Sequence, residues 1–156
     1  MMRNAILILS LTGAMLWSAC DCKPLFPVEP TLEYVSIQPT EVEELKDSMI
    51  ITLRFTDGDG DIVSQDSSQE QISNLEVKDL RTTLADSVSR LFYRFPEYTT
   101  NTCNPSIQGT IRIAVAPTLV FPRNLREQKT AFAVRLRDAA GNWSEAVMTD
   151  SILIKR

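Results

Sequence analysis

The chain has 156 residues, 44% apolar and 23% charged, with five Gly, eight Pro, three Cys and no His. That length suits one ordinary domain with room for a hydrophobic core, and the composition is neither collagenous nor disordered. The missing histidine excludes Ser-His-Asp and Cys-His nucleophile systems and any His-bearing zinc site. Three cysteines are too few for an all-cysteine zinc site, which takes four thiolates, or for a dense disulfide scaffold. A net charge of −4 lacks the basic excess of a nucleic-acid binder, so no nucleic-acid partner is expected.

The first twenty residues read as an address. Arg3 supplies a positive start, residues 5–17 form the mostly apolar run AILILSLTGAMLW, and the small pair Ser18-Ala19 precedes Cys20. This is the pattern of a secretory signal peptide over 1–19, too short for a lasting transmembrane helix of about 20 apolar residues. LWSAC resembles the lipobox of bacterial lipoproteins, whose cysteine is diacylated and becomes the mature N-terminus. Trp17 stands where that pattern prefers Leu, and an ordinary cleaved signal is the competing reading. Several acyl chains on Cys20 would meet the need for more than one buried chain in stable membrane anchoring. Cleavage would remove only Arg3 among the charged residues, leaving 15 basic against 20 acidic, or −5.

Residues 21–31, DCKPLFPVEPT, carry three prolines and should be extended and excluded from sheet interiors. They read as a semi-rigid tether over 20–31 that holds a domain of residues 32–156 off a membrane.

From there the chain reads as strands. Residues 48–56 alternate, with Met49, Ile51, Leu53 and Phe55 opposed to Thr52 and Arg54. Residues 109–115 and 130–137 repeat the pattern, and weaker runs lie at 32–38, 75–80, 90–95 and 146–154. Such alternation marks strands with one buried and one wet face. Residues 72–88 are ambiguous between a short helix and a hairpin, and their β-branched and turn residues favour the hairpin. Seven short strands without long helices predict an all-β fold, an antiparallel β-sandwich of immunoglobulin-like or fibronectin III-like type. A small barrel is the alternative, and no Cys…Trp…Cys signature supports an antibody-type domain. If the seven runs alternate in direction, the second, fourth and sixth connections emerge at one end, together with the N-terminus.

The sharpest motif lies in the second connection: Thr56-Asp57-Gly58-Asp59-Gly60-Asp61-Ile62. Carboxylates at alternate positions with glycine between them can curl around one hard cation, and Ca2+ is favoured over Mg2+, which demands strict octahedral geometry. The motif is not an EF-hand, since Ile62 and Ser68 stand where Gly and Glu would be required. A solvated turn of repelling charges is the alternative. Asp138 and Asn142, in the sixth connection, are either turn-makers that bond nearby amides or two further ligands to the same ion. Asp66 is another candidate.

The LWSAC segment, the Pro-rich tether, RFTDGDGDI and VRLRDAAGNWSEAV together resemble small lipoproteins of Bacteroidota that carry an immunoglobulin-like domain. The resemblance implies lipid anchoring in the outer membrane. Asp21 and Lys23 loosely fit a surface-export signal, so periplasmic and surface display both stay open.

Cys22 and Cys103 remain for the mature chain. Both fall at the same end of the expected sandwich in an oxidising compartment, where a disulfide between them is allowed, with two free thiols as the alternative. Trp143 and Tyr98 also fall there and could stack on sugar rings, although packing at the sandwich edge accounts for Trp143 as well. Two function classes follow. One is a non-catalytic, lipid-anchored binding or structural module whose Ca2+ stiffens the loop end and whose partner is a glycan or a protein. The other is a carboxylate-dependent hydrolase using Asp57 and Asp61. Three aspartates within five residues fit ion ligands better than an acid/base pair held a set distance apart, so no enzyme is expected.

Overall fold

A computed structural model describes residues 23–63, 73–81, 85, 89–96, 98, 105–116, 120 and 123–156. Residues 1–19, read above as a signal peptide, and Cys20, Cys22, Cys103 and Asp66 lie outside these residues. Among the described residues, no helix is long and apolar enough to cross a membrane.

The protein is all-β. Its strands are β1 (Thr31–Gln38), β2 (Glu41–Glu43), β3 (Met49–Asp57), β4 (Leu75–Asp79), β5 (Arg90–Tyr93), β6 (Ile107–Val115), β7 (Glu127–Thr130), β8 (Phe132–Leu136), β9 (Val147–Met148) and β10 (Ile152–Lys155). Among the described residues they form three small sheets ordered β1-β3-β6, β5-β4-β8-β9 and β2-β10-β7. Every pairing is antiparallel except β2 with β10.

All seven expected runs are strands, and two of them are subdivided. The run 130–137 continues backwards as β7, which pairs with β10, while β8 pairs with β4 and β9. The run 146–154 breaks around Thr149, whose hydroxyl accepts a hydrogen bond from the Phe132 amide at 3.0 Å. β4 and β5 are antiparallel neighbours, and residues 82–84 and 86–88, which would decide between hairpin and helix in 72–88, lie outside the described ones. Just before β5, the Ser89 amide donates to Ala85 O at 3.0 Å.

The core draws on all three sheets. Met49, Ile51 and Leu53 of β3 and Phe132, Val134 and Leu136 of β8 are buried, and β6, β10, β4, β1 and β2 add to the same cluster. Period two decides what comes next. Asp57 stands in phase with Met49, Ile51, Leu53 and Phe55, so β3 delivers its last side chain to the core side. Asp138 stands in the same relation to Phe132, Val134 and Leu136. Each of these central strands therefore ends its buried stripe on a carboxylate, and both aspartates are buried.

β6 supports β3 by a complementary shape. Gly109 pairs with Phe55, and a Cβ at Gly109 would stand 2.9 Å from the Phe55 ring. The ring occupies that gap and meets Phe95 edge-on with centroids 5.0 Å apart. Residues 23–30 of the Pro-rich segment stay out of the sheets and Thr31 opens β1, and the segment packs against the domain. Leu25 N–H donates to Ser106 Oγ at 3.0 Å, and Pro30 is buried.

Candidate metal centre

The loop that follows β3 is fixed by bonds to its backbone carbonyls. Ser106 Oγ–H donates to Gly58 O at 2.7 Å, and Tyr98 O–H donates to Gly60 O at 2.7 Å. Ala139 N–H donates to Asp61 O at 2.8 Å, and Asn74 Nδ2–H donates to Ile62 O at 2.8 Å. Four carbonyls are thus held by residues before β4, after β5, before β6 and after β8. Ile62 then inserts its side chain into the core, which pins the far end of the loop.

The two glycines serve different needs. Gly60 has φ +67°, the left-handed region that costs side-chain-bearing residues ~1–2 kcal/mol. Gly58 is required by close approach: a Cβ there would stand 2.4 Å from Phe26 O and 2.5 Å from Pro27 O. Both carbonyls belong to the Pro-rich segment, so at Gly58 crowding rather than backbone conformation is the reason.

With the carbonyls engaged outward, the carboxylates turn towards one another. One oxygen from each of Asp57, Asp59 and Asp61 lies within 4.8 Å of the others. Asp57 is fully buried, and neither of its carboxylate oxygens has a hydrogen-bond partner. The buried Oδ1 of Asp61 has none either, while its Oδ2 accepts from Ala140 N–H at 3.1 Å. Burial, then the neighbouring Asp59 carboxyl, and lastly the charge of Asp61, push the Asp57 carboxyl up to about 7. Burial, then Asp138 and Asp59, raises Asp61 to about 6. Asp57 is buried, Asp61 half-buried and Asp59 exposed, so the unpaired cost falls on Asp57 and on Oδ1 of Asp61, and a hard cation with oxygen preference would relieve it. The triad of Asp57, Asp59 and Asp61 can hold a metal ion.

The remaining sequence candidates take distinct places. Asp138 Oδ1 accepts from Asn142 N–H at 2.6 Å and Oδ2 accepts from Asn142 Nδ2–H at 2.7 Å, which closes a turn around Gly141 at φ +99°. The pair is brought beside Asp61 but is engaged with itself. The contribution of this loop to the centre is the amides of Ala139 and Ala140. Tyr98 meets Phe95 edge-on at 5.9 Å and bonds the loop, with burial pushing its phenol up to about 12. The Arg135 guanidinium lies 4.1 Å from the centroid of the Trp143 ring, with Arg137 at 5.8 Å.

Two positioning residues had no sequence signal. Buried Asn74 bonds Ile62 O, Arg137 O at 3.3 Å and Phe95 N–H at 2.9 Å, joining three connections through one amide. Ser106 joins Gly58 to Leu25. Both act across long sequence separations that no local pattern encodes. Compared with known proteins, the chain matches no family model and no curated protein.

Proposed function

We propose that the protein is a lipid-anchored envelope lipoprotein, a non-catalytic module with an immunoglobulin-like sandwich whose loop end is ordered by Ca2+. The observation that carries the cation is Asp57, fully buried with both carboxylate oxygens unpartnered inside a cluster of three aspartates. Asp57, Asp59 and Asp61 are the ligands, and Ca2+ fits because it accepts carboxylates in a flexible, irregular oxygen shell. The strand orders β1-β3-β6 and β5-β4-β8-β9, with one shared core, support the sandwich reading.

A hydrolytic role is disfavoured by the same geometry. A general acid or base must reach substrate, whereas Asp57 has 0% of its surface exposed. The signal-like N-terminus, LWSAC and the resemblance to Bacteroidota lipoproteins support anchoring at Cys20 in the outer membrane. Calorimetric titration of the purified chain with calcium chloride, beside a magnesium control, tests the cation. Binding heat and a raised Tm are expected with Ca2+, and the absence of both at millimolar Ca2+ refutes it. Mass analysis of the mature N-terminus tests the acyl chains on Cys20 and, without reductant, the bond between Cys22 and Cys103.

A further inference from the structure

The Pro-rich segment lies against the middle of the acidic loop, which gives the cation a second task. We propose that the metal centre is a clasp: ion binding at Asp57, Asp59 and Asp61 locks residues 23–30 onto the domain, so that the tether is held by the ion it helps to enclose. The inference rests on the calcium reading of that centre and deepens it.

Three contacts carry it. The Phe26 and Pro27 carbonyl oxygens crowd Gly58, the residue between the first two carboxylates, at separations that leave no room for a Cβ. Leu25 N–H donates to Ser106 Oγ, and Ser106 Oγ–H donates to Gly58 O, a relay from the tether into the loop. Gly58 itself is buried. The tether therefore packs on the one loop whose charges most need a partner.

The physical coupling follows directly. Three like charges in a partly buried loop favour any rearrangement that spreads them, and spreading the loop at Gly58 pulls away the surface on which Phe26 and Pro27 sit. A bound divalent cation reverses that preference and holds the loop in the shape that receives the tether. The coupling is reciprocal: whatever docks the tether tightens the ion, and the ion slows release of the tether. A segment joined to a membrane-anchored terminus would then change from a loose leash to a fixed mount when calcium is present.

The test uses the purified full chain in detergent, with calcium chloride and with chelator. Exchange of the Leu25 amide, followed by NMR, reports the docked tether, and calorimetry reports the ion. Calcium should slow Leu25 exchange by about tenfold, and Ser106→Ala should weaken calcium binding by about fivefold, within the usual range of coupling between sites. Asp57→Asn should abolish both responses. If calcium binds the native chain while Leu25 exchange stays constant, the clasp is wrong and the metal centre stands. That measurement on the native chain decides even where Ser106→Ala fails to fold. If the native chain binds no calcium, the underlying reading fails and the clasp fails with it.

Discussion

Asp57 and Asp79 occupy matching places in the fold and meet opposite fates. Each ends a buried stripe, Met49-Ile51-Leu53-Phe55 in β3 and Leu75-Val77 in β4, and each is buried. In both, the residue two places on carries a charge, buried at Arg81 and exposed at Asp59. At Asp79 that residue is Arg81, whose Nε and Nη2 reach the carboxylate at 3.0 and 2.7 Å, while Thr130 Oγ1–H adds a bond at 2.7 Å. At Asp57 it is Asp59, another anion. The chain supplies its own cation at one position and, at the other, repeats the negative charge twice. A buried carboxylate is costly unless it is paired, liganded or protonated. The difference between D-x-R and D-x-D-x-D is therefore a difference between an internal ion pair and a cluster that could hold an external ion.

The largest effect is expected on the satisfied side. Arg81→Met strands Asp79 and should lower stability by about 3–5 kcal/mol, seen as a drop in urea midpoint. The double variant Asp79→Leu with Arg81→Met should recover most of that loss, because replacing a whole buried pair by apolar groups is often neutral. A small effect of Arg81→Met alone would break the comparison.

The unsatisfied side should announce itself through pH. Asp57 and Asp61 hold their protons in the folded protein up to about 7 and about 6, whereas their ordinary value is 3.8. Between these values the folded state binds more protons than the unfolded state, so stability falls as pH rises. In chelator, the native chain should lose on the order of 2–3 kcal/mol between pH 4 and 8, a range discounted because Asp61 is partly solvated. Saturating calcium should flatten that slope, since the ion competes with the protons. A chelated protein that is most stable at pH 8 would contradict the assignment.

How much of this was readable beforehand depends on distance along the chain. The seven runs were legible because one face is buried and period two survives in the sequence. β2 and β7 were not, since Glu41-Val42-Glu43 and Glu127–Thr130 owe their strands to backbone pairing with β10. Asp57, Asp59 and Asp61 were legible as a cluster because five residues contain them. Their convergence depends on Asn74, Tyr98, Ser106 and Ala139, between 12 and 78 residues away, which no local pattern links to the loop. The role of Arg81 was equally hidden, although its spacing from Asp79 is the same as that between the aspartates.

A smaller effect sharpens the sign of the comparison. Asp57→Asn removes the unpaired charge while keeping the shape, and in chelator at pH 8 it should raise stability by about 1–2 kcal/mol. The same variant should lose all stabilisation by calcium and lose most of the pH slope. A substitution that helps the metal-free protein and disables the loaded one is the signature of a ligand. A residue retained for packing alone would be harmed under both conditions.

The smallest effect comes from an exposed pair that shares a sheet with Asp57. Arg54 Nη1 lies 3.3 Å from Glu33 Oε2 across β1 and β3, with both side chains more than 60% exposed. Glu33→Gln should change the urea midpoint by no more than about 0.5 kcal/mol, because water already solvates both partners and ordering two long side chains offsets the attraction. Glu33 and Asp57 lie in the same sheet, and Arg54 stands on the solvent face of the strand that turns Asp57 inward. The contrast isolates solvent as the variable. If Glu33→Gln cost as much as Arg81→Met, burial would not be what separates these carboxylates, and the demand of Asp57 for a cation would lose its physical basis.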